Sequence, residues 1–358
     1  MNTPRPATET ARVFDRRGRL LHDLRVSVTD RCNFRCEYCM PADVFGRGYR
    51  FLPKARLLGY GEIETLVRAF VRLGVRKVRL TGGEPLLRDD LEDLILRLAQ
   101  LDDLDDLAIT TNASLLSKSR AASLRRAGIR RVNISLDALD ETIYRRINRI
   151  NSPLGDILRG IDHALGAGFE SVKVNMVVQK DVNVSEIIPM ADYFRGSGAI
   201  LRFIEFMDAG NHNRWSLERV FTAREIIDRI HPVHPLEPLD ANYPGEVAKR
   251  WRYVDGQGEI GVISSISRPF CGDCARARLS AVGELYTCLF AGTGVDLREL
   301  LRAGADEQAL AARIGALWQN RRDRYSEERA GQARPRALTG GAATQKTSQK
   351  VEMSYIGG

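Results

Sequence analysis

The 358 residues predict an α/β protein: an incomplete (β/α)6, TIM-like barrel followed by a smaller C-terminal α+β region. Three observations carry this. Short β-rich runs alternate six times with helical runs. Glycines follow three of the helices, where a C-terminal cap favours glycine. No dinucleotide-binding fingerprint opens any of the units. Strands separated by helices of about 10–15 residues mean βαβ units and a parallel sheet. Periodicity alone leaves a doubly wound sheet open as the alternative.

In chain order, residues 1–20 read as a mobile tail. From Leu21, strands are expected at 24–29, 75–81, 106–112, 131–137, 171–178 and 200–206. Helices are expected at 62–73, 89–100, 114–127, 154–167 and 185–195, with Gly74, Gly128 and Gly168 as the three capping glycines. Past about residue 220 the pattern changes. Thr222-Ala223-Arg224-Glu225 is a capping box opening a short helix. A proline-rich stretch runs from His231 to Pro244, and hairpin turns are expected at Asp255-Gly256 and Val282-Gly283. A helix follows at about 305–325, and then a polar, basic tail. The expected division is a tail (1–20), a barrel (21–240), a C-terminal domain (241–330) and a second tail (331–358).

Composition narrows the function. With 44% hydrophobic and 28% charged residues, a largely disordered chain is excluded. The balance of 54 basic against 46 acidic residues gives +8, which favours an anionic partner. No run approaches the ~20 apolar residues of a membrane span, and no signal peptide is read at the start. The expected compartment is therefore the cytoplasm, where thiols stay reduced, and the six cysteines read as metal ligands or catalysts rather than three disulfides. Neither a phosphate-binding P-loop nor a G-x-S-x-G elbow occurs, so a P-loop GTPase is excluded and hydrolase chemistry has no nucleophile motif.

The cysteines fall into two triplets. Cys32, Cys36 and Cys39 form C-x3-C-x2-C just after the first strand. A structural zinc or an ordinary iron–sulfur cluster wants four ligands. Three leave one coordination position open, at the strand end where (β/α) folds place chemistry. A zinc site completed by a remote histidine, or three unrelated core cysteines, are the other readings. Cys271, Cys274 and Cys288 form C-x2-C-x13-C, and spacing alone leaves zinc open there, with His231 or His234 as fourth ligand. Arg276 and Arg278 beside that triplet suggest an anionic substrate held against it. Thr81-Gly82-Gly83-Glu84-Pro85 closes the second strand with two glycines that let backbone approach a ligand closely. Finally, Arg25, Arg79, Lys173 and Arg202 sit inside apolar strands. A charge packed under helices would be unpaired at a cost of several kcal/mol, so these side chains must point into the barrel lumen or toward its mouth, an exposed edge strand being the other reading for one or two of them. Four like charges there call for a polyanion, and a triphosphate fits. Thr110 and Ser135 extend the polar lining.

The first triplet, with Tyr38 beside its last cysteine, resembles the signature of the radical S-adenosyl-L-methionine (SAM) superfamily. From about Leu21 to the terminal Gly357-Gly358 the chain resembles the GTP 3′,8-cyclase family, also called molybdenum cofactor biosynthesis protein A. The resemblance rests on Leu24–Asp30, Arg79–Pro85, Asn133–Asp137, Arg202–Met207, Cys271-x2-Cys274-x-Arg276-x-Arg278 and the Gly-Gly end.

That resemblance implies specific roles. Cys32, Cys36 and Cys39 would hold a [4Fe-4S] cluster that cleaves SAM, contacted by Tyr38, Gly83, Ser135 and Met207. Cys271, Cys274 and Cys288 would hold a second [4Fe-4S] cluster facing the guanine ring. Arg25, Arg79, Thr110, Lys173, Arg276, Ala277 and Arg278 would contact GTP, and Gly357, Gly358 and Arg25 would act in catalysis. The implied lyase-type reaction abstracts the ribose C3′ hydrogen and joins that carbon to guanine C8. It gives 3′,8-cyclo-7,8-dihydro-GTP with 5′-deoxyadenosine and methionine, for molybdopterin biosynthesis. The implied partners are GTP, an electron donor and the next enzyme, cyclic pyranopterin monophosphate synthase, with no nucleic acid or membrane; a homodimer stays open. The C-terminal domain would cover the open side of the barrel, and the tail would thread into the pocket. Ala113 stands where the family commonly has glycine, and His163 and His212 read as structural or surface residues. The alternatives are another radical SAM enzyme with an auxiliary cluster, such as a peptide-modifying one, and a zinc-containing nucleic-acid-binding protein, for which no motif speaks.

Overall fold

Alternation within each short strand sets the architecture. In β1 (Asp23–Ser27), Leu24 and Val26 are buried against the helices while Arg25 takes the opposite face. The same pattern recurs in β2 (Lys77–Thr81), β3 (Asp106–Thr111), β4 (Arg131–Ser135), β5 (Ser171–Val178) and β6 (Ile200–Glu205). Between them lie α1 (Tyr60–Arg72), α2 (Leu91–Ala99), α3 (Lys118–Ala127), α4 (Glu141–Asn148), α5 (Leu154–Gly166) and α6 (Ile187–Phe194). In α1, the spacing of Ile63, Leu66, Val67 and Phe70 makes one apolar face against the sheet. Gly74, Gly128 and Gly168 all take positive φ just after α1, α3 and α5, as their capping role requires. The computed structural model describes residues 12–150, 152–243, 245–332 and 350–357, so Pro244 and Gly358 lie outside the described residues.

β1 to β6 are parallel and neighbour one another in chain order without reversal. Successive helices touch on one face, α1 with α2, α2 with α3 and α3 with α5. A doubly wound sheet would reverse its order and carry helices on both faces; the open barrel is the fold.

The C-terminal region consists of α7 (Ala223–Ile230), β7 (Leu236–Leu239), β8 (Lys249–Tyr253), β9 (Glu259–Ile263), β10 (Arg276–Leu279), β11 (Glu284–Tyr286), β12 (Val295–Asp296), α8 (Arg298–Arg302), α9 (Glu307–Gln319), α10 (Tyr325–Gln332) and α11 (Met353–Ile356). The expected capping box at Thr222 and Glu225 opens α7, and the expected turns join β8 to β9 and β10 to β11. This region extends the same sheet at both edges. β9 pairs in parallel with β6, and β10 in parallel with β1. Eight parallel strands therefore form one continuous, unclosed sheet, with an antiparallel hairpin beyond each edge.

Three expectations need correction. The tail read at 1–20 is built into the fold over its last part, with Val13, Asp15 and Arg19 buried. The helix expected over 305–325 is two helices, broken between Gln319 and Tyr325. A further helix, α4, occupies a stretch for which no element was expected. Among the described residues no helix is long and apolar enough to cross a membrane.

Candidate active site

The strand ends place the two cysteine triplets. Cys32, Cys36 and Cys39 lie on the loop leaving the C-terminal end of β1. Cys271 and Cys274 lie just before β10, and Cys288 just after β11. Because β10 pairs in parallel with β1, Asp23 opposite Arg276, the second triplet sits at the N-terminal end of the strands. Five residues of β1 at ~3.3 Å each put roughly 17 Å of barrel between the two ends. One cavity of about 340 Å³ runs between them, and all six cysteines line it.

The mid-strand cations converge as expected. Arg25, Arg79, Lys173 and Arg202 all line this cavity, as do Arg276 and Arg278 from β10. Burial, and then the neighbouring cations, push Lys173 down to about 8, Arg202 to about 9 and Arg278 to about 10. Guanidinium groups keep their proton in proteins, so for the arginines the shift reflects the cost of burial first and of like-charge repulsion second, both of which a bound anion relieves. Arg202 is steadied by Asn175 (2.9 Å) and Asn133 (2.6 Å). Sequence reasoning missed Lys77 and Arg131, which also line the cavity. Both begin a strand, two residues before Arg79 and Asn133, so the period-2 face that located Arg79 also pointed to Lys77. Lys77 lies 3.2 Å from the centre of the Tyr243 ring, and Arg131 pairs with Asp106.

At the other end, the glycines of the Thr81–Pro85 segment line the cavity and also admit a close approach of backbone. A Cβ on Gly83 would stand 2.0 Å from the Arg31 carbonyl oxygen, and one on Gly82 2.3 Å from that of Thr29. What approaches closely is the backbone of the cysteine loop, docked by Gly83 N–H to Thr29 O (2.8 Å) and Glu84 N–H to Arg31 O (2.8 Å). Glu84 is buried and accepts from the Thr111 hydroxyl and the Asn112 amide; burial pushes it up to about 7. Tyr38 donates to Asp137 at 2.9 Å, and burial pushes Asp137 up to about 6.

Tyr38, Gly83, Ser135, Met207 and Thr110 line the cavity. Ala277 does not: its side chain faces the hydrophobic core on the other side of β10. Gly357 is buried beside β1 and β2, where a Cβ would stand 2.2 Å from Thr81 Cγ2, and its carbonyl accepts from Arg25 at 3.5 Å. The preceding Met353 and Ser354 line the cavity. Glu352 anchors this segment to His212 (2.8 Å) and the Asn211 amide (3.1 Å), so His212 holds the C-terminal strap. Lys350 pairs with Asp208 (2.8 Å), which Tyr325 and Arg329 also reach. His163 bonds the Leu116 carbonyl, a structural role. Ala113 takes φ +61, the conformation that glycine adopts freely.

The cysteine environments differ. Burial pushes Cys32 up to about 12, and burial together with its neighbouring thiols raises Cys36 well above its ordinary value. Burial would raise Cys274 also, but Arg276 and Arg321 outweigh it and bring that thiol down to about 5. All six thiols are free. The histidines that the zinc readings would use are engaged elsewhere: His231 accepts from the Leu236 amide, His234 pairs with Asp192 and His22 with Asp23. Among the described residues, no three His, Cys, Asp or Glu side chains close around a point as a single ion requires. A four-iron cube is wider and holds its thiolates apart. Three free thiols per set, with no fourth protein donor in either motif, match the donor count of a cluster that keeps one position open. Thr110 Oγ1 and Arg278 Nε, buried at the cavity wall without partners, fit a polar ligand between them.

Fold and site together define a radical-SAM-type barrel carrying a second three-cysteine centre. Residues 26–194 match the family model of the Radical SAM superfamily, and residues 199–327 that of Molybdenum Cofactor Synthesis C. The chain is 50% identical to the GTP 3′,8-cyclase of Acidothermus cellulolyticus, over 98% of this chain and 100% of the relative. It is 50% identical to that of Xanthomonas campestris pv. campestris, over 99% of each, and 45% identical to that of Staphylococcus epidermidis, over 97% and 99%. It belongs to the GTP 3′,8-cyclase family. Streptococcus suis SuiB, solved bound to S-adenosylmethionine, shares the fold (TM-score 0.58, 15% identity, 83% of this chain and 69% of that one).

Proposed function

We propose that this protein is a radical SAM GTP 3′,8-cyclase of molybdenum cofactor biosynthesis, working with two [4Fe-4S] clusters and SAM. The observation that carries this is two three-cysteine sets facing each other through one cation-lined cavity. When bound, the first cluster and SAM supply a 5′-deoxyadenosyl radical. Cys32, Cys36 and Cys39 would hold that cluster, with Tyr38, Gly83, Ser135 and Met207 around SAM. Cys271, Cys274 and Cys288 would hold the second. The protein's own task is placement. Arg25, Arg79, Lys173, Arg276 and Arg278, with Thr110, bind and orient a triphosphate, each charge-assisted hydrogen bond contributing about 1.5–3 kcal/mol. The Met353–Ile356 turn and Gly357 close the cavity behind Arg25, limiting water near a reactive intermediate. Reacting carbons held near contact distance need no further diffusion. Ala277 supplies no side chain to the cavity, so any contact it makes with GTP is through its backbone, between the side chains of Arg276 and Arg278. The division at about residue 240 is one of function, since the sheet runs through it. A separate one-electron donor, the next enzyme of the route, cyclic pyranopterin monophosphate synthase, and a cytoplasmic location complete the reading.

Anaerobic reconstitution tests it. About eight irons per chain are expected, and incubation with SAM, reductant and GTP should release 5′-deoxyadenosine in response to GTP. No such response would overturn the assignment.

A further inference from the structure

The segment expected to be a free tail ends in a buried ionic knot behind the second cysteine triplet. Asp15 lies at its centre, fully buried. One carboxylate oxygen accepts from the Arg17 and Arg19 amides (2.8 and 3.0 Å), the other from Arg19 Nε (2.6 Å). Arg321 approaches the latter oxygen at 3.5 Å. The two arginines then reach the cysteines. Arg19 Nη1 donates to the Cys271 carbonyl (2.8 Å) and to that of Asp323 (2.7 Å). Arg321 donates to the Cys274 carbonyl (2.6 Å) and to the Cys274 sulfur (3.3 Å). Trp318 stacks under Arg321 and donates its indole N–H to the Arg19 carbonyl (3.0 Å). Arg19 Nη2 is left over: a buried donor without a partner, on a side chain that lines the cavity.

We propose that Asp15, Arg19 and Arg321 form a positioning device for the second metal centre. Asp15 fixes the two guanidinium groups, and these fix the Cys271–Cys274 turn. Arg321 also donates to the Cys274 sulfur, and Arg19 Nη2 offers a further donor to what fills that end of the cavity. The turn needs outside support: it is a single 3-10 turn, Cys271–Asp273, with no side-chain cap and no residue of its own buried. Hydrogen bonds to cluster sulfurs raise the reduction potential, and supporting residues of this kind tune ligands they do not replace.

The proposal rests on the reading that Cys271, Cys274 and Cys288 hold a cluster, and the experiment separates the two. In the cluster-free full-length chain, Asp15→Asn should speed amide exchange at residues 271–274 by about tenfold or more while β1 to β6 stay protected. After anaerobic reconstitution, Arg321→Ala should lose the second centre's share of the iron, from about eight to about four, and keep the first. Arg321→Lys, which keeps the charge but not the fork, should retain the iron and shift the second centre's potential downward in an EPR titration. Unchanged exchange in Asp15→Asn together with an unchanged second-centre signal in both Arg321 variants would overturn the device. If the unaltered chain takes only about four irons, the cluster reading fails, and the exchange measurement still decides whether the knot holds the turn.

Discussion

At one end of the barrel, three thiols crowd one another and burial keeps their protons on; at the other, Cys274 sits between Arg276 and Arg321 and is pulled down to about 5. Metal centres need thiolates. Cys274 is therefore held toward the thiolate by its arginines, whereas burial raises Cys288 beside it as it raises the first triplet. In the proposed reading the first site keeps one position free for SAM beside a close-packed loop; the second triplet is backed by Arg19 and Arg321. The same donor count thus sits in two different electrostatic surroundings.

Removing ligands separates them most strongly. Cys36→Ala should halve the iron, from about eight to about four per chain, and abolish SAM cleavage. Cys274→Ala should also halve it but leave SAM cleavage in place, with cyclised product lost. Equal loss of SAM cleavage in both variants would break the comparison. A smaller effect follows from the shared cavity wall. Arg79→Ala should lower kcat/KM for GTP by about 10- to 150-fold, the equivalent of one charge-assisted bond, and leave iron content unchanged. Acid sensitivity comes next. The Cys274 thiol titrates near 5 in the folded chain and at an ordinary 9.0 when unfolded. Its contribution to stability, a few kcal/mol at most, is fully present above that ordinary value and is lost as pH falls through the folded one. Thermal unfolding of the cluster-free chain should show this loss, and Cys274→Ser should flatten it. The smallest effect is at Ala113. Relief of a left-handed alanine is worth about 1–2 kcal/mol. It is offset by a lost buried methyl of about 0.8 kcal/mol and by glycine's backbone entropy of about 0.5–1 kcal/mol. Ala113→Gly should shift stability by no more than about 1 kcal/mol in chemical denaturation.

Much of this was legible in the sequence. A charge inside an apolar strand has one place to go, so Arg25, Arg79, Lys173 and Arg202 located the lumen before any coordinates. Spacing and strand position did the same for the first triplet. Long-range pairings were not legible. Asp15 and Arg321 lie some 300 residues apart, and only packing makes them neighbours. Helix α4 escaped because it is short and charged, burying little besides Tyr144 and Ile147. Gly82 and Gly83 gave a clear signal with two explanations: a glycine marks a close approach without saying whether ligand or backbone approaches. For the strap, composition favoured a free end and only the family resemblance had it enter the pocket; Glu352 and Lys350 tie it to the loop after β6.

Strands β9 and β10 come from one stretch of chain yet dock on opposite margins of the six-stranded sheet. A nascent chain that has emerged only as far as β6 thus carries two bare margins, each an invitation to pair with a neighbour. It cannot shield them until some seventy further residues have left the ribosome. Synthesis interrupted in that interval should leave a species prone to aggregate, so the demand on chaperones falls before the second cysteine triplet has been made.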